Sequence, residues 1–210
     1  AMFVGGFLMT AIPKFSRTHS AHKFETLSYA FAALFIIAMS YTSNEKLILW
    51  FSSLQAILLF SFAFRRFKIT TASPPFSFVF IFVGIILWIL SGFAGNLFSE
   101  VPQVSLQYDG AILAFILGIG SKLIPGILGH TEVLSPANFL KEKKHYLKTV
   151  PSYFYGLMIL YVLSFLIELQ YGNWLRFIIV LFISMKFWKL YLLPPTKTAL
   201  TISIWISAWL

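Results

Sequence analysis

The chain has 210 residues, of which 59% are hydrophobic and 11% charged, with a mean hydropathy of +0.83 and a formal net charge of +9. Such a composition has too little polar surface to cover a water-soluble globule, and the positive charges lie in short loops between apolar stretches, which marks membrane topology and excludes a nucleic-acid surface. With no cysteine, disulfides, thiolate metal sites and thioether-attached haem are excluded as well.

Residues 1–13 lack a charged leader and read as the end of a helix, not as a cleaved signal peptide. A partial first span ends at Pro13, and the loop 14–26 holds Lys14, Arg17, His19, His22 and Lys23. Span two is expected over Leu27–Tyr41. A tight Thr42-Ser43-Asn44-Glu45 turn then leads into span three, about Lys46 to Phe64. Arg65, Arg66 and Lys68 form the next basic loop, closed by Pro74-Pro75, which suits the start of a helix but not its interior. Span four is expected from Phe76 to Phe98 and span five from Gln107 to Leu128.

Residues 130–150 carry Lys141, Lys143, Lys144 and Lys148. Apolar residues recur opposite these lysines, so 137–149 is expected as a short helix on anionic lipid headgroups. Span six is expected over Ser152–Leu169, span seven over Trp174–Leu193, and a last, partial span from Thr198 after Pro194-Pro195. The expected fold is an all-α polytopic transmembrane helix bundle of about seven full spans plus partial first and last ones. Residues 1–210 read as a single transmembrane domain, a fragment of a longer protein of about twelve helices.

Alternating the loops across the bilayer puts 14–26, 65–75, 130–150 and 194–198 on one side. That side receives Lys14, Arg17, Lys23, Arg65, Arg66, Lys68, Lys141, Lys143, Lys144, Lys148 and Lys197, eleven of the 16 Lys and Arg. By the positive-inside rule these loops are cytoplasmic. Lipid is the expected environment, and self-association into a homo-oligomer is left open.

Polar residues at membrane depth are costly and mark candidate sites. Gly118-Ile119-Gly120-Ser121-Lys122-Leu123-Ile124-Pro125 places a lysine, small residues and a helix breaker in one apolar span. Lys122 lies about 22 Å of helix rise beyond Gln107. It either snorkels to the headgroups or faces the bundle interior as a cation for an anionic ligand. Gly5-Gly6-Phe7-Leu8-Met9-Thr10-Ala11-Ile12-Pro13 repeats the pattern 112 positions earlier. Gly6, Thr10, Pro13, Gly118, Lys122 and Pro125 are therefore the pocket candidates, with helix packing as the bland account of the glycines. Two spans of the same direction, four apart and both ending in Ile-Pro, fit a parallel four-helix repeat. The arcs of the heme-copper oxidase large subunit offer a fold-level analogy.

His19 and His22 have the i, i+3 spacing that puts two imidazoles on one helical face, and His130 follows span five, so these three are the weak metal candidates. No histidine lies in mid-span, and no triad, zinc-protease motif, P-loop or dinucleotide fingerprint is present, so no catalysis is expected of this chain alone. Glu168 and Arg176 are expected to pair across the Tyr171-Gly172-Asn173 turn.

Gly6-Phe7-Leu8-Met9-Thr10-Ala11-Ile12-Pro13-Lys14-Phe15-Ser16-Arg17 resembles the G-F-L-L-T-A-(V/I)-P-N-W-T-G segment of the NnrS family, and Gly120-Ser121-Lys122-Leu123-Ile124-Pro125 resembles its second G-G-R-(V/L)-I-P segment. The resemblance implies a polytopic bacterial inner-membrane protein associated with haem and copper and with the response to nitric oxide. It also implies that the H-x-H-E-M and G-H-T-G-R motifs lie outside residues 1–210, so that the haem and copper ligands fall outside this chain. Lys122 stands in place of the family's arginine, and Lys14 and Phe15 in place of its Asn and Trp. The alternative reading is a secondary transporter or lipid-phosphate-handling carrier with a buried lysine site.

Overall fold

The structure is a computed structural model that describes residues 2–16, 18–41, 45–69, 76–97, 105–130, 152–167, 169–195 and 197–208. Among the described residues every regular element is helical: α1 (Met2–Ser16), α2 (Lys23–Ser40), α3 (Glu45–Ile69), α4 (Phe78–Leu97), α5 (Leu106–Leu128), α6 (Ser152–Leu163), α7 (Leu169–Ile183) and α8 (Ala199–Ser207). The first part of α5, Leu106–Ile112, is π-wound, and a second π-wound segment, Ser184–Trp188, continues α7. Lys23–Ser40, Lys46–Ile69 and Leu106–Leu128 are long and apolar enough to cross a membrane, while Phe78–Phe93 and Ser152–Leu163 are shorter apolar helices. The expected helix on headgroups at 137–149 lies outside the described residues.

The chain forms two compact units, one of Ala1–Pro74 with Phe82–Leu113 and the other of Pro75–Ile81 with Ala114–Leu210. In the first, α3 packs against both α1 and α2. Leu8 and Ile12 of α1, Ala33 of α2, and Leu59 and Phe62 of α3 are buried, and Phe35 meets Phe51 edge-on at 4.5 Å. On another side of α3, Trp50 meets Phe93 at 4.9 Å and Phe67 meets Phe82 at 5.9 Å. A side chain at Gly92 would collide with Ser53, so these two helices touch backbone to side chain.

Because lipid supplies no hydrogen bonds, polar groups in this unit must find partners inside it. Ser52 Oγ accepts from both Trp88 Nε1 and Gln107 Nε2, each at 2.7 Å. Ser53 Oγ and Ser91 Oγ both donate to the carbonyl of Trp88, at 3.2 and 2.7 Å. Large apolar side chains instead face outward on α2, with Phe24, Leu27, Phe31 and Leu34 each more than 60% exposed, a surface that suits acyl chains and not water.

The second unit is built on aromatic rings: Phe80, Phe154, Tyr161 and Phe187 are all buried, with Phe80 at 6.1 Å from Tyr161 and Phe154 at 5.0 Å from Phe187. Span six, expected to reach Leu169, ends as a helix at Leu163 and becomes a turn over 164–167. Arg176, only 5% exposed, explains the stop. Its Nη1 donates to the carbonyl and the hydroxyl of Ser164 at 3.2 and 3.3 Å, and its guanidinium lies 4.3 Å from the Phe165 ring centroid. Asn173 Oδ1 accepts from Arg176 Nη2. The carbonyl that would continue α6 is thus held by a charged donor, while α7 begins at Leu169, five residues before the expected Trp174. The expected partner of Arg176, Glu168, lies outside the described residues.

Candidate functional site

Three of the six pocket candidates come together. Gly6, Thr10 and Pro13 line one cavity of about 820 Å³ in the first unit. Its α1 wall is Gly6, Met9, Thr10, Pro13 and Lys14, and its α2 wall is Thr26, Tyr29, Ala30, Ala33 and Leu34. Each wall has the i, i+3, i+4, i+7, i+8 spacing of a single helical stripe. Thr18, Ser20 and Ala21, from the segment joining the two helices, close one end.

Residue size makes the space. A Cβ built on Gly6 meets nothing within 4 Å, so the missing side chain leaves open volume. Gly5 has the opposite role, because the phenol of Tyr29 occupies the place where its side chain would be. Tyr29 itself is buried. Thr10 Oγ1 donates back to the carbonyl of Phe7 at 2.8 Å, and Thr26 Oγ1 donates to that of His22 at 3.2 Å. Both hydroxyls therefore spend their protons on their own helices and offer only acceptor lone pairs.

The joining segment is pinned from α3. Arg66 Nη2 donates to the carbonyl of Ser20 at 3.0 Å and pairs with Glu25 Oε2 at 2.8 Å, and the guanidinium stands 5.1 Å from the Phe62 ring centroid. Arg65 Nη2 lies 3.3 Å from Glu25 Oε1. Glu25 Oε2 also accepts from the backbone N–H of His22 at 2.8 Å, which fixes the start of α2. The α1 end is held as well: Ser16 Oγ donates to the Ile12 carbonyl at 2.7 Å, and the N–H of Thr18 donates to that of Pro13 at 3.0 Å.

The second motif packs helices. A Cβ on Gly118 would lie 2.6 Å from Ile81 Cγ1, and Ser77 Oγ donates to the Gly118 carbonyl at 2.8 Å. A Cβ on Gly120 would lie 2.9 Å from the Trp188 ring, whose Nε1 donates to Ser121 Oγ at 3.2 Å. Pro125 is buried within α5, and its carbonyl accepts from the N–H of His130 at 2.8 Å across the left-handed Gly129, a helix-ending motif. Lys122 is exposed. None of these residues lines the first unit's cavity, where the lysine is Lys14.

The metal candidates stand apart from one another in conformation. Residues 18–22 are not helical, so the His19 and His22 spacing does not place two imidazoles on one helix face, and both side chains are exposed. His130 Nε2 is buried with no partner among the described residues. No three of His, Cys, Asp and Glu gather among the described residues, and the cavity lining contributes no imidazole. Met9 and Tyr29 are the lining residues of a type that ligates copper or haem iron, but the lining brings no imidazole or thiolate beside them, and neither group is assigned to the cavity.

Sequence reading missed Lys14, Ser20 and Tyr29 as wall residues, and Arg66 and Glu25 as the clamp behind them. Glu25, three residues after the helix-preceding His22, carries the one usable signal, that of an acid at the third helical position. No protein-family model, no curated protein and no solved structure matches the chain.

Proposed function

We propose that this chain is part of an NnrS-like polytopic protein of the bacterial inner membrane, acting in the response to nitric oxide, with a ligand pocket walled by its first Gly-Phe-Leu-Met-Thr-Ala-Ile-Pro segment. The observation that carries the reading is the cavity shared by Gly6, Thr10 and Pro13, the residues that make the segment resemble that family. In this reading the seven-span topology holds, the segments 14–26, 65–75, 130–150 and 194–198 are cytoplasmic, and spans one to four repeat as spans five to eight. The cavity then opens near the cytoplasmic face, beside Lys14 and the Arg65–Arg66–Glu25 cluster. Haem and copper belong to motifs outside residues 1–210.

The test is genetic. A strain lacking the gene is challenged with a nitric oxide donor and complemented with the full-length gene or its Gly6→Leu variant, whose Cβ enters open space. Wild type restores growth and Gly6→Leu does not, although it is inserted in equal amount. Unchanged tolerance in the deletion strain would sink the reading.

A further inference from the structure

The cavity has a direction. α1 ends and α2 begins at the joining segment, so the two stripes run antiparallel, with Lys14 and Thr26 at one end and Gly6 and Leu34 at the other. Gly6 to Lys14 is eight residues, about 12 Å of helix rise. Toward the Gly6 and Leu34 end the walls are Met9, Ala30 and Ala33, with the Tyr29 phenol set against Gly5 and no charged side chain. The joining-segment end has hydroxyls and an ammonium but no carboxylate. Among the described residues neither the Lys14 ammonium nor the Ser20 hydroxyl has a protein partner, and these two are the donors of that end. Behind them, the single carboxylate of Glu25 faces two guanidiniums, so the clamp that pins Ser20 keeps one uncompensated positive charge. A cavity of this size lies in the range that encloses a small organic ligand.

We infer that this cavity binds a single-chain amphiphile with an anionic head, a carboxylate or a phosphate monoester, its head at Lys14 and Ser20 and its tail along Met9, Ala30 and Ala33. The inference rests on the proposed pocket and names its ligand class. An anion placed there meets a cation and a free hydroxyl, and a charge-assisted hydrogen bond is stronger than one between neutral groups. The tail replaces solvent or lipid against a smooth wall of small side chains. Head and tail are thus recognised by different residues and separate experimentally.

The experiment uses the full-length protein in nanodiscs of zwitterionic lipid and measures equilibrium binding of radiolabelled laurate, dodecyl phosphate and dodecylphosphocholine, three heads on one tail. Inorganic phosphate serves as the head alone. One or both anionic amphiphiles bind saturably, which also tells carboxylate from phosphate. Dodecylphosphocholine binds roughly tenfold more weakly, and inorganic phosphate does not compete. Lys14→Gln removes that preference by weakening the anions roughly tenfold. Gly6→Leu and Ala30→Phe abolish saturable binding of all three, with helix content and elution volume unchanged. Equal binding of all heads, competition by inorganic phosphate, or an unaltered preference in Lys14→Gln would overturn the assignment. Absent saturable binding with loss of nitric oxide tolerance in Gly6→Leu overturns the amphiphile and leaves the pocket standing. Normal binding with unchanged tolerance in the deletion strain overturns the nitric oxide reading and leaves the amphiphile site standing.

Discussion

Tyr29 and Gly5 interlock. The phenol of Tyr29 on α2 fills the position a side chain at Gly5 of α1 would take, whereas a Cβ on the adjacent Gly6 meets nothing within 4 Å. Neighbouring glycines therefore have opposite substitution profiles. Gly5→Ala pushes Tyr29 from its site and costs about 1–3 kcal/mol. Gly6→Ala gains roughly 0.5–1 kcal/mol from helix propensity. Thermal unfolding of the two variants in the same detergent checks the sign of each.

Arg66 and Arg65 share Glu25 but not its burial. The Arg66 side chain is 8% exposed and the Arg65 side chain 64%. Arg66→Ala leaves the Glu25 carboxylate without its buried partner and frees the Ser20 carbonyl, at a cost of about 3–5 kcal/mol. Arg65→Ala costs under about 1 kcal/mol. A double-mutant cycle of Arg66 with Glu25 is expected to give a coupling several times that of Arg65 with Glu25. Equal couplings would show that the clamp is not buried in the membrane-embedded protein.

Ser52 is the shared acceptor for Trp88 and Gln107. Ser52→Ala removes the acceptor that both donors share and costs about 1–3 kcal/mol, while Ser53→Ala costs less, because the Trp88 carbonyl keeps its bond from Ser91. The emission maximum of Trp88, read in a variant in which the other tryptophans are phenylalanine, shifts in Ser52→Ala and holds in Ser53→Ala.

Gly120 and Lys122 are two residues apart and respond differently. Gly120→Leu drives a side chain into the Trp188 ring and destabilises the second unit by about 1–3 kcal/mol. Lys122→Met at an exposed position changes stability by less than about 0.5 kcal/mol. Denaturant titration of both variants checks the contrast.

The starts of helices three to five are legible in the sequence because prolines, glycines and charges punctuate long apolar runs: α3 and α5 begin within a residue of the expected Lys46 and Gln107, but α3 runs five residues past the expected Phe64, so Arg65, Arg66 and Lys68 are helical and not a loop. α2 begins at Lys23, four residues before Leu27, because a loop-like charge, Glu25, serves the helix start by accepting from His22. The end of α6 is hidden because its cause, Arg176, lies twelve residues on and acts through a backbone carbonyl. At the site, the glycine and proline spacing of the first motif is visible, but the stripe it faces is not. Tyr29, Ala30 and Ala33 look like any lipid-facing turn until α1 is laid beside them. The second motif has the same spelling and another use, since Ile81 and Trp188 occupy the space its glycines leave.

The twelve residues of Ser152–Leu163 rise about 18 Å, against about 30 Å of bilayer hydrocarbon. In the proposed seven-span topology this helix crosses the bilayer, and one so short sets up hydrophobic mismatch. Either the bilayer thins around it, at fractions of a kcal/mol per Å, or the turn at 164–167 continues below the headgroups. Arg176 makes the second route affordable, since it satisfies the Ser164 carbonyl from within the protein. Replacing Arg176 would then make the protein's insertion depend on acyl-chain length, with thin bilayers tolerating the change and thick ones rejecting it.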